Sequence, residues 1–489
     1  MTLRSLKRSA CRVFLGAIIC LGTEAAHAGP WAEVGDSDLR SNFALLSAAS
    51  LIDPLTNQWP VPWALGLPSA DTSFDTFEYL RDVSVIVRRQ GLAETRQGMG
   101  ATLSADISTS PAVVRGFDGL ARQTAQSRIA LDYFGDSTAI RLSGGIRASS
   151  SNDLRLVTLD GSYIAQRFHD IAIYAGYIDH WWGPGWFTAL GLSNNASPMP
   201  QIGLTRLSSE PFDVELLRLL GPWRAELIMG VLDGPRIARN TVYIAGRMTF
   251  NPIPHLEIGL SRTTQMCGSG HSCSAAGYFD LKNEVGSVNE TNDQGTIDVR
   301  YSRAFLHWSY EVYGQVMNED SHPLIHSVTS HLVGSSVWLP TRKGMARITA
   351  EYASSIASTN LFGGGVIHGA SYNNYAYQDG MRYRGRTLGF SLDSDSELFS
   401  LQAQFADRKE HSVAFTYHRA NVNSPQNTRP NLVSSVPAEL NIGEVRLGLP
   451  IWLGGAPARM VVLARLQDNQ PFPRTGLLPS AEMALTLPF

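Results

Sequence analysis

The 489-residue chain is short of cysteine, with four, and nowhere holds the roughly 18 nearly uninterrupted apolar residues that a membrane helix requires. That excludes a helical transporter. Charged residues are only 17% of the chain and the formal net charge is −3, so neither an acidic disordered tail nor a nucleic-acid partner is indicated. Catalytic signatures are missing as well: there is no G-x-S-x-G, no H-E-x-x-H, no G-x-x-x-x-G-K and no paired C-x-x-C. A concealed hydrolase would need Ser, His and Asp or Asn converging from separate strands, and nothing singles out such residues. The chain therefore reads as a non-enzyme, with no catalytic residue, metal or cofactor to assign.

What is present begins with an apolar block at residues 13–21, preceded by Arg4, Lys7, Arg8 and Arg12 and followed by Ala26-His27-Ala28. A basic region, a short apolar core and a small-x-small site predict an export signal over residues 1–28, cleaved after Ala28. The block is about half the length of a membrane anchor. Removing the signal leaves 461 residues and a net charge near −6.

Residues 29–94 differ from the rest. Leu39, Phe43 and Leu46 fall on one helical face, with Asp36, Ser37 or Asp38 as cap, and a break follows at Trp59-Pro60-Val61-Pro62-Trp63. A second helix is expected from about residue 73 to 89. Two such helices make too little surface for an independent domain and need something to pack on.

From about residue 95 to the end the period is two. Leu227, Met229 and Val231 alternate with charged Arg224 and Glu226; Ile297, Val299 and Tyr301 with Asp298 and Arg300; Ile348, Ala350 and Tyr352 with Arg347, Thr349 and Glu351. These are strands with one apolar and one wet face. A soluble sandwich or propeller produces that pattern, and so does a membrane barrel, whose water-filled lumen suits mid-strand charge. The C-terminus favours the barrel: Ala481, Met483, Leu485, Leu487 and Phe489 form one apolar face closing on a terminal aromatic, as in strands that bacterial barrel-assembly machinery accepts. Alternation gives about twenty strand candidates. Tight connections, as at 135–137 and 251–254, do not alternate strictly with the long ones near 180–200, 265–295, 355–380 and 419–440. At least one long segment should therefore fold inward or lie on the periplasmic side.

With export, only Cys267 and Cys273 remain, flanking a Gly-Ser-Gly-His-Ser loop, and an oxidising compartment predicts one disulfide there. A metal site recruiting His271 is the alternative, but no second Cys/His cluster accompanies it.

Two stretches are candidate ligand sites. Asp179, His180, Trp181, Trp182 and Trp186 lie on glycine-proline turns, where rings can stack on pyranose faces and the polar groups can bond hydroxyls. An interfacial aromatic belt is the plainer reading. Tyr375 and Tyr377 precede Arg382, Arg384 and Arg386, which share one face if extended and can hold carboxylates or phosphates of an acidic glycan or of lipopolysaccharide. A charge-balanced luminal ladder is the equal alternative.

Taken in order, the leader, the Gly35-Asp36-Ser37-Asp38-Leu39-Arg40-Ser41 start, the Trp59–Trp63 turn, the 179–186 block, Leu192-Ser193-Asn194-Asn195 and the Arg382-Tyr383-Arg384-Gly385-Arg386 segment resemble the Wzi-type capsule-assembly proteins over nearly the whole exported chain. The resemblance implies an all-β fold: an eighteen-stranded outer-membrane barrel, with a small periplasmic helical bundle at its inner end. It implies a surface lectin of a Gram-negative bacterium that helps capsular or extracellular polysaccharide attach and organise, in contact with outer-membrane lipid and lipopolysaccharide, and without a catalytic role. Saccharide contacts in that family lie in variable external loops, so no binding residue is carried over, and the Cys267–Cys273 loop is a departure. A diffusion channel for sugars or other small solutes is the second reading.

Overall fold

The computed structural model describes residues 29–489 apart from 69–76, 119–120, 149–152, 154, 275–277, 279–290, 306, 320–327, 360–363 and 470–475. The expected export signal and the start of the second helix lie outside the described residues.

Eighteen antiparallel strands of six or more residues close into a barrel. The first six are β1 (Gly98–Ser108), β2 (Ala125–Phe134), β3 (Thr138–Arg147), β4 (Tyr163–Phe168), β5 (Ile171–Gly176) and β6 (Gln201–Arg206). Next come β7 (Trp223–Leu232), β8 (Thr241–Ile253), β9 (Leu256–Met266), β10 (Asn292–Phe305), β11 (Trp308–Glu319) and β12 (Thr329–Thr341). The circuit ends with β13 (Gly344–Ser358), β14 (Glu397–Asp407), β15 (Ser412–Val422), β16 (Ala438–Leu453), β17 (Ala456–Asp468) and β18 (Leu478–Pro488). Two two-residue ladders, Val157–Thr158 and Val366–Ile367, extend the sheet. Pairing of β18 with β1, from Glu482 opposite Ser108 to Pro488 opposite Thr102, removes both edges. Pro488 is tolerated because it sits at the last position of its strand.

The alternation resolves into two faces. Leu131, Leu142, Leu227, Met229, Val333 and Phe415 are exposed on the outside, while Arg224, Arg247, Asp298 and Glu257 are buried on the inside. Charges there pair across strands: Arg247 donates to both Asp298 oxygens at 2.7 and 2.9 Å, and Arg300 lies 3.0 Å from Glu257. An apolar exterior on a closed sheet belongs in lipid, because every backbone group is satisfied within the wall. Among the described residues no helix is long and apolar enough to cross a membrane; the apolar outer face belongs to the strands.

Short turns gather at one end of the barrel. The exception there is the 207–222 connection between β6 and β7, a long segment that the sequence pattern did not single out. At the opposite end, two long connections turn inward: residues 178–199 are buried apart from half-buried Asp179, and so are most residues between 381 and 396.

The N-terminal segment does not stop at the mouth. Helix α1 (Ser37–Ala48), capped by Asp36, whose side chain accepts from the amides of Asp38 and Leu39, stands inside the lumen with nine of its residues buried. Helix α2 (Glu78–Glu94) lies across the turn end, where Arg408 binds Glu78 and Asp82 and Arg89 binds Glu410. The hydrophobic core is therefore luminal. Phe43, Trp59 and Trp63 of the N-terminal segment, Trp181, Trp182 and Trp186 of the first inward loop, Tyr372 and Phe390 of the second, and Leu332 and Trp338 of the wall form one cluster.

Candidate functional site

Three pieces of chain meet inside the barrel. Gln58 and Trp59 pair with Trp182 and Trp181 as a two-residue antiparallel ladder. Below it, Arg40 of α1 donates to the carbonyl oxygens of Gly185 and Pro184, each at 2.8 Å, with its guanidinium 4.4 Å from the Trp186 ring and 4.6 Å from Phe117. Burial pushes Arg40 down to about 10 despite Glu311 and Glu351 nearby. Asp38, on the same helix, reaches the opposite wall, binding Arg459, Gln404 and Ser412 with Arg446 3.7 Å away. Burial alone would raise that carboxyl; Arg446 and Arg459 more than offset it, and it lies below the ordinary value.

The first inward loop hangs from luminal carboxylates and amides. Glu351 of β13 accepts from the amides of Trp186 and Phe187 at 2.6 and 3.1 Å, Glu311 of β11 accepts the Trp186 indole at 2.7 Å, and Gln315 accepts the amide of Leu190 at 2.8 Å. Gly185 is obligatory, since a Cβ there would sit 2.1 Å from the Thr188 carbonyl oxygen. Inward-pointing strand charges therefore act as anchors for a plug.

Trp181, Trp182 and Trp186 are 0%, 1% and 4% exposed, so in this structure they present no face to an external polymer. His180 is buried between Gln201, at 2.9 Å, and Glu226, at 3.8 Å, and burial holds its imidazole below the ordinary value. Asp179 accepts from Arg122 at 2.5 Å and faces a luminal cavity; burial raises its carboxyl. Tyr375 is 44% exposed at the loop end, whereas Tyr377 is buried, its hydroxyl donating to Cys267 O at 3.1 Å and its ring stacked on His271 at 4.1 Å. Cys267 and Cys273 form a disulfide, which fastens that contact.

The three arginines do not share a face. Arg382–Tyr383 and Arg386–Thr387 pair as a hairpin whose turn residues Arg384 and Gly385 have φ of +48° and +78°, so each guanidinium points its own way. Arg382 is locked on Asp393 at 2.7 Å, Arg384 binds Asp233 at 2.8 Å, and Arg386 reaches Asn195 Oδ1 at 3.4 Å and the Arg122 carbonyl at 3.1 Å. Burial and neighbouring Arg122 push Arg386 down to about 10. Of the residues that build the plug, Asp38 and Arg40 lie in the 35–41 stretch that carries the family resemblance, whereas Gln58, Glu257, Glu311 and Glu351 fall in no motif. The only signal of the three glutamates is charge at alternate strand positions.

The cavity, of about 1160 Å³, runs from exposed Arg89 and Lys409 and half-buried Glu410 at the turn end up between the plug and the β1–β3 and β16–β18 wall. Among the described residues its lining ends at Arg115, Asp118, Arg122, Asp179 and Asn194. Tyr375, Arg239, Gln426 and Arg429 are exposed on the loops above.

A closed sheet with an apolar exterior and a lumen filled by its own N-terminus and loops is a plugged transmembrane β-barrel. The family described as capsule assembly protein Wzi matches residues 94–459, and the chain belongs to it. A Klebsiella pneumoniae protein described as an uncharacterized 55.8 kDa protein in the cps region is 26% identical over 346 residues, 67% of this chain and 66% of that relative; the match thus spans just under two thirds of the relative's length. In fold the chain is similar to Wzi of Escherichia coli, an outer-membrane protein involved in group 1 capsule assembly and described as a carbohydrate-binding β-barrel. The TM-score is 0.78 and the identity 21%, over 94% of this chain and 99% of that one.

Proposed function

We propose that this protein is a non-enzymatic, polysaccharide-binding barrel of a Gram-negative outer membrane, which holds capsular or extracellular polysaccharide at the cell surface during capsule assembly. The observation that carries this reading is the filled lumen. A barrel of eighteen strands is wide enough for an aqueous channel, yet here Trp59, Trp63, Trp181, Trp182 and Trp186 occupy it. The polar surface left for a ligand is the loop end, where Tyr375, Arg239 and Arg429 are exposed and can stack on sugar rings and bond carboxylates or hydroxyls. Membership of a capsule-assembly family supports the same reading. The turn end then faces the periplasm, lipopolysaccharide borders the loop end, and the strand ending at Phe489 is the one offered to the barrel-assembly machinery.

Planar-bilayer recording separates this from a diffusion channel. A binder of this design gives no large, steady ohmic openings, and a porin does. Deleting the gene is expected to release capsule from the surface into the medium without stopping its synthesis.

A further inference from the structure

The 207–222 connection carries an apolar surface that the plug and the loop-end site leave unused. Val214, Leu216 and Leu219 are 60%, 74% and 71% exposed, on and beside the helical turn Glu215–Arg218. Its position is fixed by Trp223. Arg224, the next residue, points into the lumen and donates to the carbonyls of Gln58 and Pro60, so Trp223 points outward with Leu227 and Met229. Phe212 stacks on Trp223 at 4.2 Å and 7°. Arg206 lies 4.0 Å from the same ring and donates to the carbonyls of Glu210 and Trp223 at 2.9 and 3.0 Å. The segment is thus held against the lipid side of the rim, not across the mouth.

The wall is short at this point. Strands β4, β5 and β6 have six residues each, about 20 Å along the strand, or about 14 Å across the membrane at a tilt near 45°. An apolar band is about 25 Å tall. Exposed Leu156, Val157 and Leu159 continue the band above the short sector, and Val214, Leu216 and Leu219 continue it below.

We propose that residues 212–220 form a membrane foot that buries Val214, Leu216 and Leu219 among the acyl chains of the periplasm-side phospholipid leaflet. The inference rests on the transmembrane reading of the barrel, and its test separates the two. Leu216→Cys, Leu227→Cys on the lipid-facing wall and Gln426→Cys on an outer loop each receive an environment-sensitive dye, with the unsubstituted protein as labelling blank, and are reconstituted into phosphatidylethanolamine/phosphatidylglycerol vesicles. The expected result is blue-shifted emission at 216 and 227, quenched by acyl-brominated phospholipid and not by iodide, with the reverse at 426. Iodide quenching at 216 with 227 still in lipid overturns the foot alone, as does a dye at 216 shielded from both quenchers, which would mean protein covers it. Failure of 227 to meet bromolipid overturns the transmembrane reading instead. As a second arm, the double variant L216E/L219E is expected to melt earlier than the unsubstituted protein in vesicles and at the same temperature in detergent; equal melting in vesicles contradicts the foot.

Discussion

Arg40 of the N-terminal helix holds the backbone of Gly185 and Pro184, nearly 150 residues away, by two 2.8 Å hydrogen bonds. The loop-end segment and the N-terminal helix thereby form one plug, and the plug is where the barrel's stability should respond.

Arg40→Met removes both charge-assisted bonds and leaves two buried carbonyls with unfilled acceptor capacity. A loss of about 3 kcal/mol is expected, read as a lower melting temperature of the heat-modifiable band on gels. Asp38→Asn, which removes the acid facing Arg459 and Arg446, is expected to cost about the same. A melting temperature unchanged in both variants contradicts the latch.

The turn end carries a pH dependence. Burial pushes the Glu94 carboxyl up to about 8, with Glu33, Asp132 and Asp36 adding to the effect against Arg141. An unfolded glutamate has lost its proton by about pH 5, so between about 5 and 8 the folded state holds a proton that the unfolded state lacks. Stability therefore falls as pH rises through that window. Glu94→Gln is expected to melt with the native protein near pH 5 and above it at pH 8, in thermal unfolding followed in detergent.

Trp186→Ala and Tyr375→Ala should separate structure from binding. Trp186 is buried against Arg347 at 3.6 Å and Arg40 at 4.4 Å, with its indole on Glu311. Its truncation should cost about 4 kcal/mol of stability while the folded fraction keeps its affinity. Tyr375, exposed at the loop end, should lose about tenfold in glycan affinity, or about 1.4 kcal/mol, with an unchanged melting temperature. Titration of each variant beside its melting curve gives both readings.

Replacing Cys267 and Cys273 together by serine opens a loop whose closure is worth about 2 kcal/mol in the chain-entropy account. The barrel wall does not depend on it, so the expected change is faster protease cleavage at residues 268–274 with the strands intact, seen by mass spectrometry of the digests.

The wall was legible because lipid and lumen sort alternate residues, and Ile297/Asp298 or Ile348/Thr349 lie as their spacing predicts. The terminal strand was legible for the same reason, and local capping chemistry narrowed the start of α1 to Asp36, Ser37 or Asp38, of which Asp36 is the cap. The plug was not. Trp181, Trp182 and Trp186 have the composition of a sugar platform and of a hydrophobic core alike, and local spacing cannot say whether a loop turns outward or inward. Arg382, Arg384 and Arg386 share a face only in an extended chain, and the left-handed turn at Arg384 and Gly385 removes that condition. What decides both cases is a set of partners more than a hundred residues away: Glu351 under Trp186, Asp233 beside Arg384.

The central claim is glycan recognition by the closed barrel, and retention of the organism's own surface polysaccharide on immobilised, folded protein in detergent tests it most directly. The account predicts saturable retention that weakens with Tyr375→Ala and persists with Glu94→Gln. Polysaccharide that passes the column as it passes bare resin contradicts it.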